Sequence, residues 1–280
     1  MIIRTAIEEA SLKLKKNNIQ SSILDSEILM SKALNKKRDY IILNSEKNLK
    51  QKNYNFFKKL ICERVKGKPI AYITGTKSFW KHEFEISENV LIPRPDTELI
   101  VEQTLQICKN KRKLRILEIG VGSGCVLLSI LKEKKGFIGT GIDISSECIK
   151  LSKKNFKKLG INNRFYLYKS DVDNFRYGKY DLIVSNPPYI INKKLKYLDR
   201  DVVKYEPTQA LNGGIDGLSE IRKVIYKSSE LIKKKGKLIL EIGFDQKKKV
   251  INLLNKEGFY INSTYKDLAG NDRCIVSTKI

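Results

Sequence analysis

The chain has 280 residues, of which 41% are hydrophobic and 31% charged, a composition typical of a globular protein with one large domain and a smaller one. Its 55 Lys and Arg residues against 31 Asp and Glu residues give a net charge of +24, which favours nucleic acid or another polyanion as a partner unless it only reflects a lysine-rich composition. No stretch approaches the ~18 apolar residues of a membrane span, and the five cysteines form no Cys-x-x-Cys pair, so we expect no membrane, no metal and a cytoplasmic location.

The first part of the chain carries apolar side chains at helical spacing. They recur within residues 3–14, 24–33 and 54–65, and recurrence every three or four residues is typical of amphipathic helices. Gly67 and Pro69 end the pattern. The spacing predicts a small N-terminal helical domain over residues 1–75.

Residues 76–95 are predicted to link this domain to the rest of the chain. Apolar and polar residues alternate on either side of Glu88 and Asn89, with Phe84, Ile86, Val90 and Ile92 as the apolar ones. Alternation at period two around a turn is typical of a β-hairpin, so we expect a hairpin linker. Asp96 then follows Pro93-Arg94-Pro95 as the expected N-cap of a helix that opens a domain over residues 96–280.

Strand-like and helical stretches alternate from residue 114 onwards. Helices are expected from Ser123 and over residues 145–159, and this alternation is typical of a parallel sheet with helices on both faces. Only a short turn at Ala269-Gly270-Asn271 separates the last two strands, so these should pair antiparallel. The expected strands cover residues 114–119, 137–142, 165–168, 180–185, 237–242, 259–265 and 273–278.

A glycine-rich loop follows the first of these strands, and residues 118–124 read Glu-Ile-Gly-Val-Gly-Ser-Gly. Glycine lets the backbone turn sharply and approach a ligand closely. The spacing differs from the G-x-G-x-x-G of dinucleotide sites and favours S-adenosylmethionine; a tight turn without a ligand is the alternative. The residues assigned to the cofactor in this loop are Glu118, Gly120, Val121, Gly122, Ser123 and Gly124.

Acidic residues follow the next two strands. Asp143 ends the stretch 137–143, where a carboxylate can accept hydrogen bonds from both hydroxyls of a ribose, although it could instead cap the following helix. Asp171 follows the strand at 165–168 and is a candidate acceptor for the amino group of adenine.

The most specific motif is Asn186-Pro187-Pro188-Tyr189, at the end of an apolar strand. Ligands of open α/β sheets bind beyond the carboxyl ends of the strands, so this tetrad and the glycine loop should share one edge of the sheet. A proline turn without a chemical role is the alternative. The cofactor loop upstream argues against it.

The tetrad suits methylation of a planar NH2 group, whose nitrogen lone pair is delocalised and must be redirected. The Asn186 side-chain oxygen and the Pro187 carbonyl can accept the two N–H bonds and hold the nitrogen towards a methyl donor. Pro188 adds no competing N–H, and Tyr189 offers a flat apolar wall. No general base is required, and His82, the only histidine, is expected to be structural or exposed.

Four further segments point to one family: residues 64–75 (Arg-x-x-Gly-x-Pro-x-x-Tyr-Ile-Thr-Gly), 91–98 (Leu-Ile-Pro-Arg-Pro-Asp-Thr-Glu), 205–207 (Tyr-Glu-Pro) and 214–218 (Gly-Ile-Asp-Gly-Leu). With the glycine loop and the tetrad, they make the chain resemble the release-factor glutamine methyltransferases, the HemK/PrmC family, over almost its whole length. The tetrad alone is shared with DNA and RNA amino-methyltransferases, whereas the proline-arginine and Glu-Pro segments are much narrower.

The resemblance implies an α/β fold: a Rossmann-like class I methyltransferase domain with a mostly parallel seven-stranded sheet and an antiparallel C-terminal strand, after the small helical domain. It implies S-adenosylmethionine as cofactor, bound by the glycine loop, Asp143 and Asn186. The implied substrate is the glutamine of the Gly-Gly-Gln motif in peptide chain release factors, received by the tetrad while the N-terminal helices grip the factor. Val172 stands where the family often has an aromatic residue beside adenine, and Glu118 where Asp is more usual.

Two other functions compete with this one. An amino-methyltransferase acting on adenine or guanine in nucleic acid would suit the charge, but it must flip out its base, and only residues 190–218 are available to recognise one. A non-catalytic RNA-binding protein with a methyltransferase fold is disfavoured by the intact motifs. We expect a monomer. Its charge is compatible with proximity to the ribosome or RNA, but the function does not require it.

Overall fold

A computed structural model describes all 280 residues. The chain folds into two units, one made of residues 1–75 with 199–205 and the other of residues 76–198 with 206–280. No helix of either unit is long and apolar enough to cross a membrane.

The first unit is a set of helices packed through their apolar faces. Leu14, Leu29 and Phe57 are buried in one core, as the helical spacing predicts. Arg64 Nε lies 2.7 Å from Asp25 Oδ2 in a mostly buried salt bridge, since charges removed from water require partners. Numbered in chain order, the helices of this unit are α1 (Ile3–Lys16), α2 (Ser22–Leu34), α3 (Arg38–Leu43), α4 (Gln51–Val65), α5 (Ile70–Thr74) and α9 (Arg200–Tyr205).

The second unit opens with a hairpin of β1 (Thr76–Phe79) and β2 (His82–Glu85), which turns at Trp80 and Lys81. A turn does lie at Glu88 and Asn89, where the Val90 N–H donates to the Ser87 carbonyl over 3.0 Å, but no pair of strands flanks it, so the prediction of a hairpin around these residues was wrong. Residues 86–92 form no strand, and their apolar members Ile86, Val90 and Ile92 are buried from an irregular loop. The alternation of apolar and polar residues showed which side chains are buried in the core. Residues of an irregular loop can be buried alternately as well, so the pattern did not distinguish this loop from a strand.

The predicted N-cap at Asp96 was also wrong. Residues Pro95–Thr97 form a 3-10 turn, and the helix α6 (Glu98–Ile107) begins after Thr97. The N-cap position of the turn is Arg94 and that of the helix is Thr97, and neither makes a side-chain capping hydrogen bond. Proline favours the first turn of a helix because its missing N–H is not needed there, so the helical backbone starts before the acidic residue.

The rest of the second unit is a seven-stranded sheet in the order β5-β4-β3-β6-β7-β9-β8. The strands are β3 (Arg115–Ile119), β4 (Ile138–Asp143), β5 (Phe165–Lys169), β6 (Tyr180–Ser185), β7 (Ile232–Glu241), β8 (Phe259–Lys266) and β9 (Asp272–Lys279). Strands β3 to β7 pair in parallel, and β9 is antiparallel to both of its neighbours. The expected sheet is confirmed. The remaining helices are α7 (Cys125–Glu133), α8 (Ser146–Lys158), α10 (Ser219–Leu231) and α11 (Lys247–Lys256).

Burial explains why the central strands could be predicted from the sequence. Leu117, Ile183 and Leu238 on adjacent strands are all fully buried, and strands covered on both faces are almost continuously apolar. Strand β7 begins at Ile232, earlier than predicted, because its first residues include the polar run Lys233-Lys234-Lys235 and carry no apolar signal.

The strand order places a cleft beside β3. The chain passes from β3 to β4 on one side, whereas β6 lies on the other side of β3. Loops that leave neighbouring strands in opposite directions open a crevice at the carboxyl edge, where ligands of such sheets bind.

Candidate active site

A cleft of about 380 Å³ lies where the loops after β3, β4, β5 and β6 converge, a volume within the range of ligand pockets. It brings together residues from four strand ends. The predicted cofactor residues that line it are Gly120, Gly122, Asp143, Asp171 and Val172, and the predicted acceptor residues are Asn186, Pro187 and Pro188.

The glycine loop requires glycine for two different reasons. Gly120 and Gly122 have φ values of +77° and +51°, which side-chain-bearing residues rarely adopt, and a Cβ on either would meet no atom within 4 Å. These two glycines therefore border open space. A Cβ on Gly124 would lie 2.9 Å from the Phe156 ring, so this glycine, which does not line the cleft, allows α7 and α8 to pack closely.

Val121 and Ser123 lie behind the loop rather than in the lining. They are 2% and 3% exposed. The Ser123 carbonyl accepts a hydrogen bond from Asn155 Nδ2 over 2.9 Å, and the Gly122 carbonyl accepts one from the Ser152 hydroxyl over 2.7 Å. Helix α8 thus holds the loop from behind.

Glu118 is buried beneath the loop and does not line the cleft. Its Oε2 accepts the backbone N–H of Leu127, in the first turn of α7, over 3.0 Å. Burial raises the pKa of the Glu118 carboxyl well above its ordinary value, and the Leu127 N–H opposes that rise. This carboxyl satisfies an N–H that a helix start leaves without a partner. Its direct contact with a cofactor stays a prediction.

Asp143 lines the cleft with a carboxyl that is also bound to the backbone. Its Oδ2 accepts the Gly122 N–H and its Oδ1 the Ser145 N–H, each over 2.9 Å. Burial raises the pKa of Asp143, and these N–H groups oppose the rise. The side-chain oxygen that caps α8 belongs to Ser145, which accepts the Cys148 N–H. Since a carboxylate oxygen can accept more than one hydrogen bond, Asp143 can also bind hydroxyls in the cleft.

The far end of the cleft contains Asp171 and Val172. Asp171 Oδ1 accepts the Asp173 N–H over 2.8 Å, and Val172 packs against the main core. Glu220 and Lys223 of α10, paired over 2.9 Å, also line this end. No sequence pattern marked them, because Glu-x-x-Lys pairs are common on ordinary helix faces.

Asn186 follows β6 with its NH2 group directed at protein and its oxygen unengaged. Nδ2 donates to Thr97 Oγ1 over 3.0 Å. The Ser185 hydroxyl donates to the Ile119 carbonyl over 2.8 Å and ties the ends of β6 and β3 together. No hydrogen bond within the protein occupies Asn186 Oδ1 or the Pro187 carbonyl. Both acceptors are therefore available to a ligand.

Tyr189 does not line the cleft. Its ring packs against the main core, and its hydroxyl donates to Glu241 Oε1 over 3.3 Å and accepts from Arg273 Nη1 over 3.4 Å. Burial raises the pKa of this phenol above its ordinary value. The structure places Tyr189 as an anchor of the tetrad, and its role as a wall for the substrate stays a prediction.

The segment after the tetrad folds back onto it. The Ile190 N–H donates to the Leu211 carbonyl over 3.0 Å, and the Gly213 N–H donates to the Ile190 carbonyl over 2.8 Å. A Cβ on Gly217 would lie 2.6 Å from the Tyr189 carbonyl oxygen. The glycines of this segment therefore permit close approach to the tetrad. Its residues in the cleft lining are Pro207, Gln209, Ala210 and Asn212.

Glu206 lies next to the cleft lining at Pro207, and the sequence assigned it no role in the site. It is 5% exposed; its Oε1 pairs with Arg94 Nη2 at 2.5 Å and its Oε2 accepts the Ile92 N–H over 3.3 Å. The proline-arginine and Glu-Pro segments, noted above only as family signatures, are thus bonded to each other next to Pro207. Because 112 positions separate Arg94 from Glu206, no local sequence pattern indicated this pair.

Known proteins share this fold. Ribosomal protein L11 methylase from Lactobacillus delbrueckii subsp. bulgaricus superposes with a TM-score of 0.51 at 19% identity, covering 68% of this chain and 82% of that chain. A methyltransferase from Pyrococcus furiosus superposes with a TM-score of 0.53 at 18% identity, covering 78% and 96%. Family models described as PrmC N-terminal domain and Methyltransferase small domain match residues 5–75 and 96–210. Fold and site define a class I methyltransferase.

Relatives named release factor glutamine methyltransferase are 38% identical in Buchnera aphidicola subsp. Baizongia pistaciae and in Clostridium botulinum, each over 100% of this chain and 100% of that protein. This chain belongs to the release factor glutamine methyltransferase family. The resemblance seen in the sequence is confirmed. A bifunctional methyltransferase of Rickettsia conorii is 34% identical over 99% of this chain, which spans only 58% of that protein.

Proposed function

We propose that the chain transfers a methyl group from S-adenosylmethionine to the side-chain amide nitrogen of the glutamine in the Gly-Gly-Gln motif of peptide chain release factors. The observation that carries the proposal is a single cleft in which Asp143 and the glycine loop lie with the two unoccupied acceptors of Asn186 and Pro187. A methyl donor and a planar NH2 group would meet there.

The cleft residues fit this cofactor. Gly120 and Gly122 leave space where a side chain would stand, and the Asp143 carboxyl lies at the same edge to accept hydrogen bonds from ribose hydroxyls. Asp171 and Val172 would border the adenine. When bound, S-adenosylmethionine supplies an electrophilic methyl group on its sulfonium sulfur.

The tetrad would orient the glutamine. An amide nitrogen is a weak nucleophile because its lone pair is delocalised into the carbonyl. Asn186 Oδ1 and the Pro187 carbonyl each accept one N–H of the amide, which fixes the nitrogen with one face towards the donor. The nitrogen releases a proton once its new bond has formed, so the chain needs no strong base.

The choice of a release factor rests on the family, whose relatives carry that substrate in their names. We place the enzyme in the cytoplasm as a monomer, with residues 1–75 gripping the release factor. The net charge of +24 is the one observation that favours an amino group in nucleic acid instead, so nucleic acid is the comparison that matters.

The test is transfer of labelled methyl from S-adenosylmethionine to purified release factor. A factor with the Gly-Gly-Gln glutamine changed to alanine is the matched control, and duplex DNA and ribosomal RNA are the competing substrates. We expect label on the intact factor alone. Label on nucleic acid with none on the factor would overturn the proposal.

A further inference from the structure

A carboxyl that the function above does not use lies directly beside Asn186. Glu241 ends β7, and the pairing of Ser185 with Leu240 between β6 and β7 places it next to Asn186 at the sheet edge. It is 2% exposed. One oxygen, Oε1, accepts from Tyr189, whereas Oε2 is buried without a hydrogen-bond partner.

The burial of Oε2 lowers the stability of the fold, because an acceptor that is buried without a donor loses its hydrogen bonds to water. Burial raises the pKa of Glu241 to about 7. The groups that face it are Tyr189, Asp96 before α6, and Arg273 and Cys274 of β9. Arg273 forms its ion pairs with Asp267 at 2.9 Å and Asp96 at 3.6 Å rather than with Glu241. The Arg273 charge lowers the pKa of Glu241 but only partly offsets the effect of burial.

Thr97 is bonded to Asn186 and also acts on the Glu241 carboxyl. It is 4% exposed, and its Oγ1 accepts the Asn186 NH2 over 3.0 Å. The Thr97 hydroxyl lowers the pKa of Glu241. The Asn186 NH2 occupies one lone pair of Thr97 Oγ1, and no formed hydrogen bond takes up the Thr97 proton, so that proton is free to turn towards Glu241 Oε2, which has no partner of its own.

We propose that Glu241 is a positioning residue that fixes the orientation of the Asn186 amide through Thr97. A hydroxyl has one proton. When the Glu241 carboxylate attracts that proton, Thr97 presents only a lone pair to Asn186. Asn186 must then turn its NH2 to Thr97 and its oxygen to the methyl-acceptor site. The inference rests on the proposed function, in which Asn186 Oδ1 accepts an N–H of the substrate.

Removing the carboxylate permits the opposite arrangement. With an amide at position 241, an N–H can donate to Thr97, and the Thr97 proton can then turn to Asn186 Oδ1. The Asn186 NH2 would then face the cleft, where a donor meets the N–H groups of the substrate and repels them. Glu241→Gln has nearly the same shape as the native side chain, so it isolates this effect.

The experiment measures methyl transfer to release factor in the full chain for Glu241→Gln, Thr97→Val and Thr97→Ser. We expect the first two to lower kcat about tenfold or more, with the cofactor KM little changed, and Thr97→Ser to retain activity because it keeps the hydroxyl. Thr104→Val is the matched control, since Thr104 is fully buried in α6, the helix that follows Thr97, and its hydroxyl has no hydrogen-bond partner. We expect it to keep native kcat.

Two further readouts separate positioning from folding. The double variant Glu241→Gln/Thr97→Val should be no slower than the worse single variant, because both act through one relay. The ¹⁵N and ¹H shifts of the Asn186 side-chain amide should change in both single variants without cofactor or substrate. Native kcat and native amide shifts in Glu241→Gln would overturn the inference, whereas a wild-type chain that methylates no release factor would instead overturn the proposed function.

Discussion

Asn186 Nδ2 donates to Thr97 Oγ1 over 3.0 Å, although the two residues are 89 positions apart in the chain. The bond joins the methyl-acceptor tetrad to the turn that precedes α6. Because it occupies the NH2 end of the amide, the oxygen end is the one left to receive a substrate. The proposed chemistry needs that polarity.

Asn186→Ala should therefore lower methyl transfer by about 10²-fold or more, the scale on which loss of one preorganised hydrogen bond affects turnover. Cofactor affinity should stay close to native, because Asp143 and the glycine loop are unchanged. Single-turnover kinetics and calorimetric titration of the cofactor measure the two effects separately. Asn162→Ala, at an exposed position, is the control, and a fully active Asn186→Ala enzyme would show that the tetrad does not act as described.

Asp143→Ala should act on binding instead. The change removes the acceptor for cofactor hydroxyls and frees the Gly122 and Ser145 N–H groups, which the carboxyl now holds at 2.9 Å. Hydrogen bonds to a charged group contribute about 1.5–3 kcal/mol, so the cofactor Kd should rise about 10- to 100-fold. Calorimetry checks this, with the exposed Asp173→Ala as control. An unchanged Kd in Asp143→Ala would remove Asp143 from the cofactor site.

The site residues at the strand ends could be predicted from the sequence, because each of them belongs to a short local motif. The glycine loop, Asp143 and Asn186 follow apolar strands, and parallel strands bring their carboxyl ends to one edge. The seven-stranded sheet was predictable for the same reason, since its buried strands are continuous apolar runs.

The supporting contacts could not be predicted. Thr97, Glu206 and Glu241 act through bonds that cross between distant segments, and no local pattern distinguishes a buried Glu from an exposed one. The turn of the hairpin was misplaced because buried side chains in the loop at Ile86 and Val90 alternate as strand residues do. Tyr189 was expected to face the substrate because of its flat ring and its place in the tetrad; its ring packs against the core, and its role towards the substrate stays a prediction.

Gly217→Ala should disturb the tetrad from behind. Its Cβ would lie 2.6 Å from the Tyr189 carbonyl, and its φ is +75°. Gly270→Ala shares the left-handed φ, at +83°, but its Cβ meets nothing within 4 Å, so it carries only the backbone cost of about 1–2 kcal/mol. We expect Gly217→Ala to lose more stability than Gly270→Ala and also to lose methyl transfer. Equal effects of the two variants on thermal unfolding and kcat would contradict the close-approach argument.

The final prediction concerns pH. The pKa of the Glu241 carboxyl is raised from 4.5 to about 7 by burial, so between these values the folded chain holds a proton that the unfolded chain has released. Stability therefore falls as pH rises through this window. Below pH 4.5 the carboxyl is neutral in both states and contributes no penalty.

Glutamine at position 241 does not titrate, so Glu241→Gln should gain stability relative to the native chain as pH rises from 4.5 to 8. The raised pKa corresponds to a relative gain of about 3 kcal/mol. Urea unfolding is followed by the fluorescence of Trp80, the only tryptophan, which lies in the second unit and reports on its unfolding. A stability difference that does not change with pH would contradict the raised pKa of the Glu241 carboxyl. A Glu241→Gln variant that is more stable than the native chain at pH 8 but slower in methyl transfer would show that Glu241 lowers stability and is kept for its effect on Asn186.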